Sequence, residues 1–512
     1  MSLSSAVGRI RMATRRSVTL ADVMSQLAEL HGDRRFVTEE APDGSVRELT
    51  YLDAALTVQR WSVTIAARSE PGRPVVVATP NGVDQLLVCL AVARAGGLPA
   101  PVNSQMSDAE VDHVIADSGA SLVVRDPVEL TRGKGSRSSP VVAATPDADD
   151  VAALFYTSGT TGKPKGAALT HRALVGQLAP AAAFPSFLRN DEVVMSLPVA
   201  HIMGYLALLG PAVAGVPVYF LDRFSAERIL EVIESRRSSA FIGVPAMYRA
   251  LFEAGAAERD LSSVRLWISG ADVMPAELTR SFKSFGATTR LPGLGAVGEA
   301  TFVEGYGMVE VGGNVATKVS PPMLPIGMGD SLGFSMPGWK LRVADDDGAP
   351  VATGQVGELQ LRGPGVLKGY WGDEAATASA LTDDGWLRTG DLVRSGPLGT
   401  VVFQGRAKAV VMSGGYSVYP LEVEADLEEH ADVIEAAVVG LPDEKLGEVP
   451  VAAVRLRPDA TTGPDELREW ARQRMAHYKA PRQIAVVDEL PRTGTRKVQR
   501  ERLLPLFTGQ ST

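Results

Sequence analysis

The chain has 512 residues and a formal charge of −9, from 51 lysines and arginines against 60 aspartates and glutamates. So long a chain exceeds one hydrophobic core and predicts several folding units, while the acidic balance argues against a nucleic-acid binder, whose footprint is basic. With 45% hydrophobic and 22% charged residues it has an ordinary soluble composition, and its single cysteine, Cys89, excludes an intramolecular disulfide and suits a reducing cytosol.

Residues 1–20 carry arginines but no unbroken apolar run, so no secretory signal is expected and the expected location is cytoplasmic. Strand-length apolar runs then alternate with helical segments. PVVVATP is followed by GVDQLLVCLAVARAGG, LPAPVNS, DAEVDHVIADSG and ASLVVRD. This beat predicts an α/β fold, a doubly wound and mostly parallel sheet with helices on both faces. Within it Cys89 reads as a small core hydrophobe rather than a nucleophile. Residues 132–148 read as a flexible surface connection. From Met195 to Leu221 no charged residue appears, but Pro198, Pro211, Pro217, Gly204, Gly210 and Gly215 break the run into buried strands and helices, so no membrane span is expected. The beat returns at AERILEVIESRR, SSAFIGVP and VRLWISG. Beyond about residue 340, short runs between Gly, Pro and Asp turns predict hairpins in a β-rich subdomain. After them comes a smaller α+β unit. The predicted organisation is a large N-terminal domain, residues 1–404, and a small mobile C-terminal domain, residues 405–512.

The densest chemistry lies at 151–171. The strand VAALFY runs into Thr157, Ser158, Gly159, Thr160, Thr161, Gly162, Lys163, Pro164, Lys165 and Gly166. Hydroxyls offer donors, glycines let backbone N–H groups approach a polyanion, and two lysines supply charge; a following helix is expected to add its N-terminal dipole. The spacing is not that of a Walker A loop. A second motif, Gly293, Gly295 and Gly298 in LPGLGAVGEA, satisfies G-x-G-x-x-G. However, Pro292 stands where a dinucleotide fold needs a strand, and no helix opens after it.

YTSGTTGKPKG resembles the signature loop of the adenylate-forming superfamily, which includes acyl-CoA synthetases, adenylation domains and luciferases. PVAHIMG (198–204), VPAMY (244–248), ISGAD (268–272), EGYGMVE (304–310), GWLRTGDL (385–392), GRAKAVVMSGGYSVYPLEVE (405–424) and LPRTGTRKV (490–498) agree in the family's order. In that family the link before EGYGMVE is usually shorter, so the resemblance implies that LPGLGAVGEA is a flexible glycine-rich insertion near the active site. The resemblance implies a ligase that activates a carboxylic acid with ATP and magnesium and passes it to coenzyme A. It places the ATP phosphates on 157–165 and magnesium on Glu310 and Thr161. Gly270, Ala271, Asp272, Gly305, Tyr306 and Gly307 fall at the adenine, and Asp391 and Arg406 at the ribose. Lys408 falls on the family's hinge, Lys497 on its catalytic lysine, and Ser413, Gly414, Gly415 and Tyr416 on the coenzyme A path. Without the resemblance, Lys497 and its neighbouring arginines read as a solvated basic tail. His201 matches a histidine that gates the acyl pocket, with Val244 to Tyr248 as apolar walls; a lone histidine in an apolar run is otherwise a satisfied core residue.

Those walls offer no charge for a second carboxylate, so a hydrophobic acid is expected. A medium- or long-chain fatty acid leads, with an aromatic or steroid-type acid as the alternative. Two positions depart from the family pattern. Val309 stands where a threonine hydroxyl touches a phosphate oxygen, a loss of about 1–3 kcal/mol of transition-state binding. Ala409 stands where an acidic residue is frequent beside the hinge. The rival functions are an acyl-AMP ligase that loads a carrier protein and, because of Val309, a catalytically weak nucleotide-binding homologue. An amino-acid adenylation domain is disfavoured because no aspartate for an amine follows PVAHIMG. No nucleic-acid partner is expected, and the sequence leaves a monomer or a homodimer open.

Overall fold

The computed structural model describes residues 18–131, 144–157, 163–183, 191–291, 293, 295–322, 331–493 and 497–508. The chain divides into two compact units. One comprises Met1–Gly329, Gly333–Lys340 and Arg362–Leu387; the other comprises Asp330–Leu332, Leu341–Leu361 and Arg388–Thr512. Part of the 132–148 connection, residues 132–143, lies outside the described residues.

In the first unit β1 (Arg35–Glu40) and β2 (Val46–Thr50) form an antiparallel pair. β3 (Pro74–Val77), β4 (Leu98–Pro101) and β5 (Leu122–Val124) make a parallel sheet in the order β4-β3-β5. The helix Val83–Arg94 between β3 and β4 is buried over nearly its whole length, in keeping with its unbroken apolar run Leu86–Ala93. Cys89 is fully buried there, and burial pushes its thiol well above the usual range, as a core hydrophobe requires.

β6 (Val151–Tyr156) and β7 (Gly166–Thr170) form an antiparallel pair. They are followed by β8 (Val193–Met195), β9 (Val218–Leu221), β10 (Ala240–Gly243), β11 (Leu266–Gly270), β12 (Thr289–Leu291), β13 (Gly295–Val297), β14 (Thr301–Met308), β15 (Gly313–Ser320) and β16 (Phe334–Ser335). The main sheet has nine strands in the order β16-β15-β14-β11-β10-β8-β9-β1-β2. Its six central strands, β14 to β1, are parallel, and antiparallel neighbours close both edges. Helices such as Ile202–Ala214, Ala226–Arg236 and Pro245–Glu253 intervene between its parallel strands, as the alternating sequence predicts.

The uncharged stretch Met195–Leu221 resolves into the end of β8, the helix Ile202–Ala214 and β9. No helix among the described residues is long and apolar enough to cross a membrane. The glycine-rich insertion is the antiparallel hairpin β12–β13, with Gly293, Gly295 and Gly298 all at positive φ. No dinucleotide fold is built on it. Its base precedes β14 at Thr301, whereas Gly305 to Glu310 lie toward and beyond the other end of that strand. The expectation of an insertion near the active site is therefore corrected: hairpin and motif sit at opposite ends of β14.

The second unit carries most of a four-stranded sheet in sequential order, β17 (Lys340–Ala344), β18 (Val356–Arg362), β19 (Leu387–Ser395) and β20 (Val401–Arg406). A five-stranded sheet follows, built from β21 (Val411–Ser413), β22 (Tyr416–Val418), β23 (Val433–Asp443), β24 (Gly447–Leu456) and β25 (Ile484–Val486). The helices Pro420–Glu428 and Pro464–Arg474 contribute buried Val423, Leu427, Leu467 and Ala471 to its core.

Candidate functional site

The loop rich in glycine, threonine and lysine is the connection of a hairpin. Tyr156 pairs with Gly166, and the Thr157 N–H donates to Lys165 O at 3.0 Å, which ties the two ends of the loop together. Ser158, Gly159, Thr160, Thr161 and Gly162 lie outside the described residues. The expected helix after the loop is corrected. GAALT is the fully buried strand β7, and Gly166 leaves room for the Tyr156 ring, whose Cζ would lie 3.0 Å from an added Cβ. No helix dipole follows the loop directly.

At the exit of the loop three residues that the sequence reading missed come together. Lys165 Nζ lies 3.4 Å from Asp373 and 5.6 Å above the Tyr370 ring. The Tyr370 hydroxyl donates to Glu310 Oε1 at 2.9 Å. His113 Nε2 contacts Pro164 O at 2.9 Å, which fixes the loop from the helix Asp108–Ser118. Lys163 is exposed. Aromatic and acidic residues far along the chain give no motif signal, because only tertiary folding brings KGYWGD against the hairpin.

Glu310 sits in the short 3₁₀ turn Val309–Val311 that ends β14, and its carbonyl accepts from Leu367 N–H at 2.8 Å. Val309 opens the same turn. Among the described residues no group of three or more His, Cys, Asp or Glu could hold a metal. One hard carboxylate suits magnesium, which keeps waters and takes phosphate oxygens rather than a full protein cage.

The ends of β11 and β14 form a shelf. Gly270 and Gly305 are partners in register, and a Cβ at Gly270 would lie 3.1 Å from Gly305 O. A bulge falls between Tyr306 and Gly307, and a Cβ at Gly307 would collide with Gly313 O. Glycine is required at that position by close backbone approach. Ala271 holds φ +70°, left-handed backbone that costs a non-glycine residue roughly 1–2 kcal/mol. Asp272 is exposed, and its Oδ1 accepts from Val273 N–H.

His201 caps the helix Ile202–Ala214, its Nδ1 accepting from Met203 N–H at 3.3 Å. Tyr248, expected on a pocket wall, is fully buried among Phe241, Trp267, Phe282 and Phe302, with its hydroxyl on Ile268 O at 2.9 Å. That expectation is corrected: its large ring belongs to the core under the sheet.

In the second unit Asp391 and Arg406 face each other across β19 and β20. Arg406 Nε lies 2.7 Å from the buried Asp391 carboxylate, and its Nη1 donates to Thr389 O at 3.0 Å. Lys408 is exposed in the turn Ala407–Ala409 between β20 and β21. Gly414 and Gly415, at φ +60° and +84°, form the two-residue turn between β21 and β22, which the left-handed region reserves for glycine. Ser413 is buried, whereas Tyr416 is exposed and stacks on Tyr478 at 4.5 Å.

The C-terminal basic segment is anchored rather than a solvated tail. Arg492 pairs with buried Glu435, and Arg500 with buried Glu424 at 2.8 Å. Between them Thr493 N–H donates to Lys497 O at 2.8 Å, and Arg492 bridges Val498, so Lys497 is tied to the strand-like segment before it.

Two family models match the chain, "AMP-binding enzyme" over residues 25–371 and "AMP-binding enzyme C-terminal domain" over residues 422–497. The feruloyl-CoA synthase of an Amycolatopsis species is 33% identical over 88% of this chain and 92% of its own. A 3-[(3aS,4S,7aS)-7a-methyl-1,5-dioxo-octahydro-1H-inden-4-yl]propanoyl:CoA ligase of Mycobacterium tuberculosis is 31% identical over 95% and 96%. Among solved structures, the o-succinylbenzoate CoA synthetase of Bacillus subtilis superposes in complex with its acyl-adenylate intermediate at TM-score 0.79, with 25% identity over 95% of this chain and 98% of that one. The same enzyme with ATP and a magnesium ion superposes at 0.77, with 25% identity over 94% and 98%.

Proposed function

Because the chain belongs to the AMP-binding enzyme family, we propose that it is an ATP-dependent acid–thiol ligase. It activates a hydrophobic carboxylic acid as the acyl-adenylate and transfers the acyl group to coenzyme A, releasing pyrophosphate and then AMP in the cytoplasm. The observation that carries this reading is the contact chain from Lys165 through Tyr370 to Glu310, where a phosphate-type loop adjoins a magnesium-type carboxylate.

The chemistry follows from the acid. A carboxylate resists nucleophiles through resonance and charge, and AMP converts its poor leaving oxide into a good one. Bringing that anion to a triphosphate demands charge neutralisation and in-line positioning. Lys163, Lys165 and the loop hydroxyls and amides would hold the phosphates. Glu310 and Thr161 would hold magnesium, with the Tyr370 hydroxyl fixing the glutamate rotamer. Magnesium, when bound, neutralises phosphate charge as a Lewis acid. The shelf of Gly270, Ala271, Asp272, Gly305, Tyr306 and Gly307 would seat the adenine. Asp391, its approach set by Arg406, would accept the ribose hydroxyls. Lys497 would bring a point charge to the acyl carboxylate and α-phosphate. Lys408 would be the hinge of a mobile C-terminal domain, residues 405–512, and the Ser413–Tyr416 turn would pass the pantetheine arm. His201 would border the acid beyond the helix that it caps.

The activities for which two relatives matching most of the chain are named support a ring-bearing acid. A fatty acid is the second reading, favoured by the helix Ile202–Ala214, which carries no charged side chain. The test supplies ATP, magnesium, coenzyme A and a panel of ring-bearing and straight-chain acids. Acyl-CoA formation is the expected result. Acyl-AMP that accumulates despite coenzyme A would favour a carrier-protein acceptor, and absence of pyrophosphate release with every acid would overturn the ligase reading.

A further inference from the structure

Among the buried polar atoms beside the shelf that the proposed chemistry leaves without a use is the side-chain oxygen of Asn314. Gly270 and Gly305 share a face as in-register partners, and that face looks toward the helix Ile202–Ala214, since a Cβ at Gly270 would lie 3.5 Å from Met203 Cε. The missing side chains leave the shelf thin there. On the next strand Asn314 reaches over it, with Oδ1 only 3.0 Å from where a Gly305 Cβ would stand. Gly313 beside it is packed against Leu206 of the same helix. Met203 and Leu206 of that helix thus border the shelf and the strand that carries the amide.

Its orientation is set by a relay. Asn314 Nδ2 donates to Thr317 Oγ1 at 2.7 Å, and the Thr317 hydroxyl donates to Met336 Sδ at 3.2 Å. In this arrangement the threonine proton goes to sulfur, the amide nitrogen faces Thr317 and the amide oxygen is turned away from it. Asn314 Oδ1 is buried and has no hydrogen-bond partner among the described residues. Buried acceptors are mostly paired, and this one lies on the face that looks toward the helix Ile202–Ala214, the side given above to the acid rather than to the adenine. We infer that Asn314 Oδ1 selects the acid: the substrate carries a hydrogen-bond donor, a hydroxyl or an N–H, that reaches this oxygen. The inference rests on the ligase reading and narrows its substrate class. An acid of the same shape without the donor leaves the oxygen unpaired and loses roughly tenfold to a hundredfold in kcat/KM.

The test measures pyrophosphate release with matched acids. These are the hydroxyphenylpropanoates with their methyl counterparts at each ring position, and indole-3-acetate with 1-naphthylacetate, each with the native enzyme and with Asn314→Leu. At least one donor-bearing acid should exceed its partner tenfold or more, and that preference should fall within about threefold in the variant while its turnover of the donor-free acid persists. A native enzyme that treats every pair alike overturns the inference without any variant. So does an Asn314→Leu enzyme that keeps the preference, or that changes only the KM for ATP, which would assign the oxygen to the adenine amine. Donor-free acids turned over as well as donor-bearing ones remove this inference alone, whereas no pyrophosphate from any acid removes the ligase reading as well.

Discussion

Tyr370 is the residue on which two charges of the first unit converge. Its hydroxyl holds one oxygen of Glu310, and its ring lies under the Lys165 ammonium. A carboxylate held from behind presents its other oxygen in a defined direction, which matters for a cation bound by few protein ligands. Tyr370→Phe keeps the ring under Lys165 and deletes only the hydrogen bond. The magnesium concentration for half-maximal pyrophosphate release should rise about tenfold, with a lesser change in KM for the acid. Titrating the metal into the enzyme with bound ATP by calorimetry gives the same comparison without turnover. An unchanged magnesium dependence would assign Tyr370 to packing alone. No spacing rule could have announced this residue, because its partners lie far away in the chain. Glu310 was legible only through the resemblance of EGYGMVE to a known motif.

Element type is legible from sequence in some segments and not in others, for physical reasons. The β3 to β5 segment was legible because strand-length valine runs alternate with longer helical stretches. GAALT, five small or apolar residues after a glycine-lysine loop, carries no periodicity that separates strand from helix, and pairing with VAALFY decides it. The end of β9 shows a further effect of convergence. Asp222 follows that strand, accepts from Asn81 Nδ2 through its carbonyl, and faces Glu39 and Asp84, with Arg47 and Arg223 as the opposing charges. Burial first, and then Glu39, push its carboxyl up to about 7. A carboxyl with a raised folded value is stabilising while protonated. Its contribution is present below the unfolded value of 3.8 and is lost as pH rises through about 7. Asp222→Asn should therefore match the native protein near pH 4 and gain about 1–2 kcal/mol at pH 8, a shift discounted for partial solvent screening. Thermal or urea unfolding at both values checks the sign. A variant less stable than the native protein at pH 8 would mean that the ionised carboxylate has a partner worth more than its burial.

The molecule as a whole places its proposed chemistry on two units: Lys165, Glu310 and the glycine shelf on the first, Asp391, Arg406 and Lys497 on the second. A chemistry divided in this way suits two successive reactions, because groups needed for only one of them can withdraw for the other. The second unit meets a physical requirement of that idea, since its basic segment is fixed to its own core. Arg492 and Arg500 are committed to Glu435 and Glu424, so Lys497 is carried by a framework rather than by a loose tail. In adenylation two anions, a carboxylate and an α-phosphate, must meet, and an ammonium between them lowers the barrier. In thioester formation AMP is already the leaving group, and that demand is gone. Lys497→Ala should lower pyrophosphate release by a factor of a hundred or more while leaving thioester formation from supplied acyl-AMP within a few-fold of the native rate. Arg500→Ala serves as the contrast, since it opens an ion pair with a buried carboxylate in the same unit and should impair stability and both half-reactions together. Equal loss of both half-reactions in Lys497→Ala would place the lysine with the framework instead of the chemistry.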